Sequence, residues 1–456
     1  MRNLGSSAVT LPIADRLLYA VGSLGNATLF WTLGAWLIYF YAPPADRGLP
    51  VLLPLGVVAL ARGAGQLLEA LDDPLIGWWS DRTRSRWGRR IPFLLYGTPL
   101  LALTFWLLWT PPAGASGLVI GLWFFVVLEL FYFANTVVGA PYEALQAEIA
   151  STSTDRVSLG VWKVFFGTLG LVLAVVVSPQ LIELIGFPGM GAVLAIIALG
   201  SLYLMLFGLW RRGTLTRTAL AKSDQIGLRE SIRISLAHAP FRALAASFVL
   251  FSLGYNMLIA LMPYYVTVIH GASEGDVTFF LGGVIAAVML ALPLIGRAAD
   301  RFGKRAVYAW SMAAAGAYLV FLGIGAFQRI VPGIDLQTQA RVLIWLSGLG
   351  FAALFVFPGA MMADVIDDDT ARSGHHRAAA YYGMFKTLEK LAQGGAALLF
   401  GLLLQTFGYT AERSLGIQLA LPIAGLCALA GFATVMLWYH LRGIGERDVF
   451  AAVPVK

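Results

Sequence analysis

Apolar runs of about twenty residues or more, separated by short polar breaks, recur along the whole chain, and each is long enough to cross a hydrocarbon core about 30 Å thick. The pattern predicts twelve helices near residues 16–41, 51–79, 91–110, 117–143, 159–185, 190–211, 240–267, 277–299, 305–327, 339–364, 379–407 and 414–441. Membrane strands would instead read as segments of about ten residues with alternating polarity, which the runs do not show. The longest polar segment, Arg212 to Ala239, carries Arg217, Lys222, Asp224, Arg229, Glu230 and Arg233. It divides the chain into a first half at 1–211, a linker at 212–239 and a second half at 240–456, six helices on each side.

Composition narrows the class further. Of 456 residues 59% are hydrophobic and 12% charged, with a mean hydropathy of +0.76, a balance that no water-soluble surface tolerates. A net charge of +7 would suit a nucleic acid, yet the basic residues are sorted by side. One set of loops holds 25 of the 32 Lys and Arg, the opposite set holds Arg47, Arg329, Arg341 and Arg413, and Arg62, Lys386 and Lys390 lie within helices. That asymmetry places both termini and the linker in the cytoplasm of a multi-pass cell-membrane protein. The first apolar run exceeds a signal peptide's core and lacks a small-residue cleavage pattern, so the first helix is expected to be retained. Cys427 is the single cysteine; it has no disulfide partner and reads as a packing residue.

An internal repeat supports the division. Residues 74–90 read PLIGWWSDRTRSRWGRR and residues 293–305 read PLIGRAADRFGKR, so Gly77, Asp81 and Arg82 recur as Gly296, Asp300 and Arg301. The second helix of the first half thus corresponds to the eighth overall. Parallel six-helix repeats resemble the two halves of major-facilitator transporters, whose substrate site lies between them near the membrane midplane. The fold expected is therefore all-α, with twelve transmembrane helices in two six-helix pseudo-repeats. Gly77 and Gly296 are expected to admit a neighbouring helix closely. Asp81 and Asp300 are expected to accept hydrogen bonds at a helix N-terminus, or to pair with arginines and latch one gate state.

The second helix carries the most costly residues. An acid within a membrane helix costs roughly 2.5–3.5 kcal/mol even on a lenient scale, and Glu69, Asp72 and Asp73 stand within five residues. Glu69 and Asp73 share one helical face and Asp72 lies beside them. Oxygen donors without thiolate or histidine favour a hard cation, Na⁺ or H⁺, or else protonated structural acids. Lys390 lies in an apolar helix, as a charge near the cation site or as a partner of Glu389. On the fourth helix Glu129 and Glu143 are fourteen residues apart and share a face. They read as substrate contacts or as acids paired with Lys163 or Arg156, and Pro141 is expected to kink the helix. Trp31, Trp36, Tyr39, Tyr142, Trp162, Tyr255 and Tyr264 offer rings to a sugar but are mostly packing or interface residues. Asp367, Asp368, Asp369, His375 and His376 read as a polar cytoplasmic loop without helical register rather than a metal site. The chain has no H-E-x-x-H, which argues against a zinc hydrolase in the membrane and for a protein that is not an enzyme.

The run from Asp73 to Pro92, followed by Ala140-Pro-Tyr-Glu-Ala-Leu through Glu148, resembles the glycoside/pentoside/hexuronide:cation symporters. In the second half, Asp364-Val-Ile-Asp367, Arg377 and Lys390 ahead of Gly408-Tyr409 resemble that family's cytoplasmic loop and eleventh helix. The resemblance implies a cation site at Glu69, Asp72, Asp73 and Thr136, with Lys390 as a coupling lysine. It departs where melibiose-carrying members grip sugar: Ala27 and Gly139 replace aspartates, Glu143 a tryptophan and Lys163 an arginine. The members that carry lysophosphatidylcholine share the Pro-Tyr-x-Ala-Leu run, so an amphiphile stays open. The resemblance thus implies a cation-coupled symporter of an organic solute, a sugar or glycoside first and a lysophospholipid second, working by alternating access. Substrate contacts are expected at Tyr142, Glu143, Trp162 and Lys163. A transport-dead receptor is the remote alternative. No cofactor and no nucleic acid is expected, only small-molecule substrate, coupling ion and lipid, around a monomer.

Overall fold

In lipid an unpaired backbone N–H or C=O finds no water, so apolar runs of this length fold as helices that close their own hydrogen bonds. The computed structural model describes residues 11–150, 153–212, 228–325, 328, 331–374 and 377–440, and every regular element among them is helical. In chain order they are α1 (Ile13–Tyr41), α2 (Leu55–Arg82), α3 (Ile91–Leu108), α4 (Gly117–Ile149), α5 (Ser153–Val172), α6 (Ser178–Arg211), α7 (Leu228–Ala237), α8 (Ala239–Tyr264), α9 (Val277–Phe302), α10 (Lys304–Gly325), α11 (Leu336–Ser373), α12 (Ala378–Phe407) and α13 (Leu415–Trp438). Wider π turns at Leu173–Val177 and Tyr265–Ile269 continue α5 and α8.

Among the described residues, ten stretches are long and apolar enough to cross a membrane. One of them, Ser158–Arg211, has 54 residues and as a straight helix would run about 80 Å at about 1.5 Å per residue. It breaks instead at Gly186, whose φ of 72° suits a residue without Cβ, and so holds two of the expected crossings. The helix α2 is too rich in acids and arginines to count among the ten. With it, the twelve expected helices are accounted for.

The described residues pack as two units, 11–40 with 68–212 and 41–67 with 228–440. In the first, α3 lies on α4 and α6, and α1 is tied to α4 by Tyr19 and Tyr142, whose rings stack at 4.7 Å. Small residues let α5 meet α1: a Cβ on Gly170 would stand 2.5 Å from the Leu24 carbonyl oxygen. In the second unit α8 and α10 pack on α13, and α9 on α11. There Gly316 and Gly425 face each other, a Cβ on either standing 2.7 or 2.5 Å from the other's carbonyl oxygen. Prolines inside helices, Pro141 of α4 among them, leave α4 continuous to Ile149, beyond its expected end.

Several expectations need correction. Asp367, Asp368 and Asp369 are not in a loop but in the last turns of α11, with Asp368 fully buried. The burial is tolerated because Asp368 meets Arg372, one helical turn on, at 2.7 Å and His238, just before α8, at 2.9 Å; His375 and His376 lie outside the described residues. Close approach is not made at Gly77 or Gly296, where an added Cβ would meet no described atom within 4 Å. Asp81 and Asp300 stand in the last turns of α2 and α9. Part of the linker is helical, as α7, whose Ser235 donates to the Ala380 carbonyl at 3.4 Å; residues 213–227 lie outside the described set.

Candidate functional site

The acids of α2 meet polar groups of α4 within the first unit. Glu69 is only 2% exposed and accepts a hydrogen bond from the Asn135 amide nitrogen at 2.8 Å, a bond to a charged group that is worth about 1.5–3 kcal/mol. Asp72 and Asp73 follow within one turn, half-buried. Thr136, beside Asn135, is equally buried, and its hydroxyl has no hydrogen-bond partner among the described residues. Two turns earlier on the face of Thr136 stands the half-buried Glu129. The expected residues Glu69, Asp72, Asp73 and Thr136 thus share one unit with Asn135 and Glu129. A carboxylate set with a hydroxyl and an amide offers hard oxygen ligands and no soft ones, the chemistry of an alkali cation or a proton.

Nearer the end of α4, Glu143 meets Lys163 of α5 at 2.6 Å, and the same ammonium reaches the Gln146 amide oxygen at 3.0 Å. Lys163 also lies 5.3 Å from the Tyr142 ring centroid. Tyr142 is buried; its hydroxyl donates to the Tyr19 carbonyl at 2.9 Å and meets the Ser23 hydroxyl at 2.8 Å. One face of that ring is already covered by Tyr19, so Tyr142 supports the lysine more than it offers a stacking platform. Trp162 is half-buried and edges Phe165 at 5.8 Å.

The two sequence motifs converge in space. Glu148, which closes the motif beginning at Ala140, accepts from Arg89 Nε at 2.8 Å, from the Arg89 terminal nitrogen at 2.6 Å and from Arg90 Nε at 3.1 Å. Arg90 also donates to the Ser80 hydroxyl. The arginine-rich loop therefore ties the end of α2 to the end of α4. Arg82 is exposed, and the side chain of Asp81 lies outside the described set. In the second unit Asp300 and Arg301 are exposed, the Arg301 guanidinium 5.2 Å from the Phe302 ring, while Lys304 takes the acid of that region, Asp364, at 2.6 Å. Lys390 is half-buried on α12, also in the second unit.

A profile of the MFS/sugar transport protein family matches residues 18–441. The chain is 26% identical to the inner membrane symporter YicJ of Escherichia coli, over 94% of this chain and 92% of that one. It is 22% identical to the sodium-dependent lysophosphatidylcholine symporter 1 of Xenopus tropicalis, over 94% and 86%. Among solved structures, a D-xylose–proton symporter superposes with a TM-score of 0.67, covering 94% of this chain and 98% of that one at 13% identity, a likeness of fold alone. The chain belongs to the MFS/sugar transport protein family. It is a multi-pass membrane transporter of the symporter kind, not an enzyme.

Proposed function

We propose that this family member couples the movement of an organic solute, a sugar or glycoside, to a cation, Na⁺ or H⁺, held by Glu69, Asp72, Asp73 and Thr136. The observation that carries the reading is the buried Glu69–Asn135 bond. It fixes a carboxylate inside an apolar bundle, where a charge persists only when compensated. Lys390 is the coupling charge. Tyr142, Glu143, Trp162 and Lys163 form the substrate wall of the first unit. The six-plus-six division, the cytoplasmic termini and a gating role for the repeats at Gly77, Asp81 and Arg82 and at Gly296, Asp300 and Arg301 belong to the same reading. Alternating access is then a matter of linkage: the ion shifts the conformations only by its differential affinity for them, and ion and solute strengthen each other's binding by the same factor.

A second reading, a lysophospholipid or similar amphiphile, draws support from the Glu143–Lys163 pair. One charge of each sign beside two tyrosines suits a zwitterionic head group, and one relative is named for lysophosphatidylcholine. Thermal unfolding against a panel of glycosides, hexuronides and lysolipids, with and without Na⁺, decides between them. A sugar that stabilises the protein more strongly in Na⁺ or at low pH supports the first reading, and a lysolipid hit displaces it.

A further inference from the structure

Resting on the sugar reading above, we propose that Gln66 of α2 and Gln393 of α12 form a subsite of the second unit that binds sugar hydroxyls. The crossing of the two helices is fixed by small residues. Gln405 lies against Gly56, Ala59 against Gly401 and Leu398 against Gly63, while a Cβ on Gly394 would stand 3.0 Å from the Gln66 Cβ and 3.2 Å from the Gly63 carbonyl oxygen. Residue numbers rise along α2 as they fall along α12, so the helices run antiparallel. Each residue is turned about 100° from the one before it. Gln66 therefore lies on one flank of the contact line, and Gln393, just before Gly394 on the opposed helix, lies on the same flank. Leu60, Leu67 and Leu402 take the other flank and are exposed, as a lipid-facing surface is.

The glutamine flank is closed. Gln66 is 2% and Gln393 7% exposed, and the amide oxygen of each has no hydrogen-bond partner among the described residues. Arg62, one turn before Gln66 and also buried, makes no bond to that oxygen. Buried amide oxygens are nearly always satisfied, so two left open beside one crossing ask for donors from outside the protein. A sugar supplies them, because each of its hydroxyls donates one hydrogen bond and can accept another from an amide N–H. A phosphocholine head group cannot, since its phosphodiester only accepts and its quaternary ammonium has no N–H. The rest of a lysophospholipid brings a single glycerol hydroxyl. The two amides thus select a polyhydroxylated solute over the amphiphile of the second reading, for a missing hydroxyl leaves a buried amide unpaired.

The test is binding to purified protein, with thermal stability giving the half-saturating concentration and no transport required. The probes are the methyl glycosides of glucose, galactose, xylose and glucuronic acid, the monodeoxy analogues of whichever binds, and lysophosphatidylcholine. Gln66→Leu and Gln393→Leu are each expected to raise the half-saturating concentration of the glycoside about tenfold, the loss of one hydrogen bond. One monodeoxy analogue should bind the parent about as weakly as the full glycoside binds Gln66→Leu, and should lose nothing further in that variant. Without ligand both variants should melt at or above the parent's temperature, because removing an unpartnered buried amide relieves a cost. A fall of several degrees in both would mean that the protein itself satisfies these amides, and would overturn the subsite. If a glycoside binds the parent and both variants alike, the sugar reading stands and the glutamines are not its ligands. If no glycoside stabilises the parent, whether or not lysophosphatidylcholine does, the subsite falls together with the sugar reading.

Discussion

Replacing Glu148 by alanine removes the carboxylate on which the arginine-rich loop after α2 closes. That oxygen takes three N–H donors from Arg89 and Arg90, and the side chains of Glu148 and Arg90 are each 9% exposed. Breaking a buried pair from one side costs about 3–5 kcal/mol, because the remaining charge stays desolvated. Arg89 is 29% exposed and water recovers part of its share, so the lower figure, about 3 kcal/mol, applies. Arg90→Ala should cost a similar amount, although it also removes a donor from the Ser80 hydroxyl, which keeps its bond to the Gly77 carbonyl, and Arg89→Ala about 1 kcal/mol or less. Since each single change of the Glu148–Arg90 pair already loses the pair, the double variant should be little worse than either, with a coupling of about 2 kcal/mol, within the range of contacting residues. Tryptophan fluorescence during thermal unfolding in detergent reads the parent and all four variants. A Glu148→Ala protein as stable as the parent, or Glu148→Ala and Arg90→Ala effects that simply add, would refute the buried bridge.

Other predictions rest on separate parts of the molecule. His270, after the π turn that ends α8, is pushed from 6.5 down to about 4, first by burial and then by Arg341. The unfolded chain therefore binds a proton between these values that the folded one refuses, and stability should fall as pH drops from 6.5 toward 4. His270→Gln should flatten that part of the melting-temperature profile, and an unchanged profile would remove His270 as its source. Gly425→Leu should prevent stable folding, since even a Cβ there stands 2.5 Å from the Gly316 carbonyl oxygen; a monodisperse, parent-like elution profile would contradict that crossing.

The membrane-crossing helices were legible in the chain because lipid leaves backbone no other choice, and only their ends moved; α7, in the polar linker, was not. Where α11 ran on to Ser373, the sequence showed three acids in a row and pointed to a loop; the structure buries Asp368 against Arg372, one turn on along the same helix, and against His238 from a distance, and only the second, long-range partner leaves no local trace. The repeated glycines misled for the opposite reason. Gly77 and Gly296 look like packing residues by their neighbours in sequence, yet the close crossings are made at Gly170, Gly316 and Gly425, a matter of which face meets a partner. The acids of α2 were visible at once, being costly where they stand. Their α4 partner Asn135 was not, since one polar residue per two turns is common in membrane helices.

The central claim is that the acids of α2 couple a cation to solute movement, and accumulation in proteoliposomes tests it most directly. With the solute identified by the binding panel, parent protein should concentrate it when an inward Na⁺ or proton gradient is imposed, and should stop when the gradient is collapsed. Asp73→Asn, which preserves size and removes the charge, should still insert and fold but should no longer accumulate solute under the gradient that drives the parent. If Asp73→Asn concentrates the solute with the parent's ion dependence, the acids of α2 are structural and the coupling site lies elsewhere.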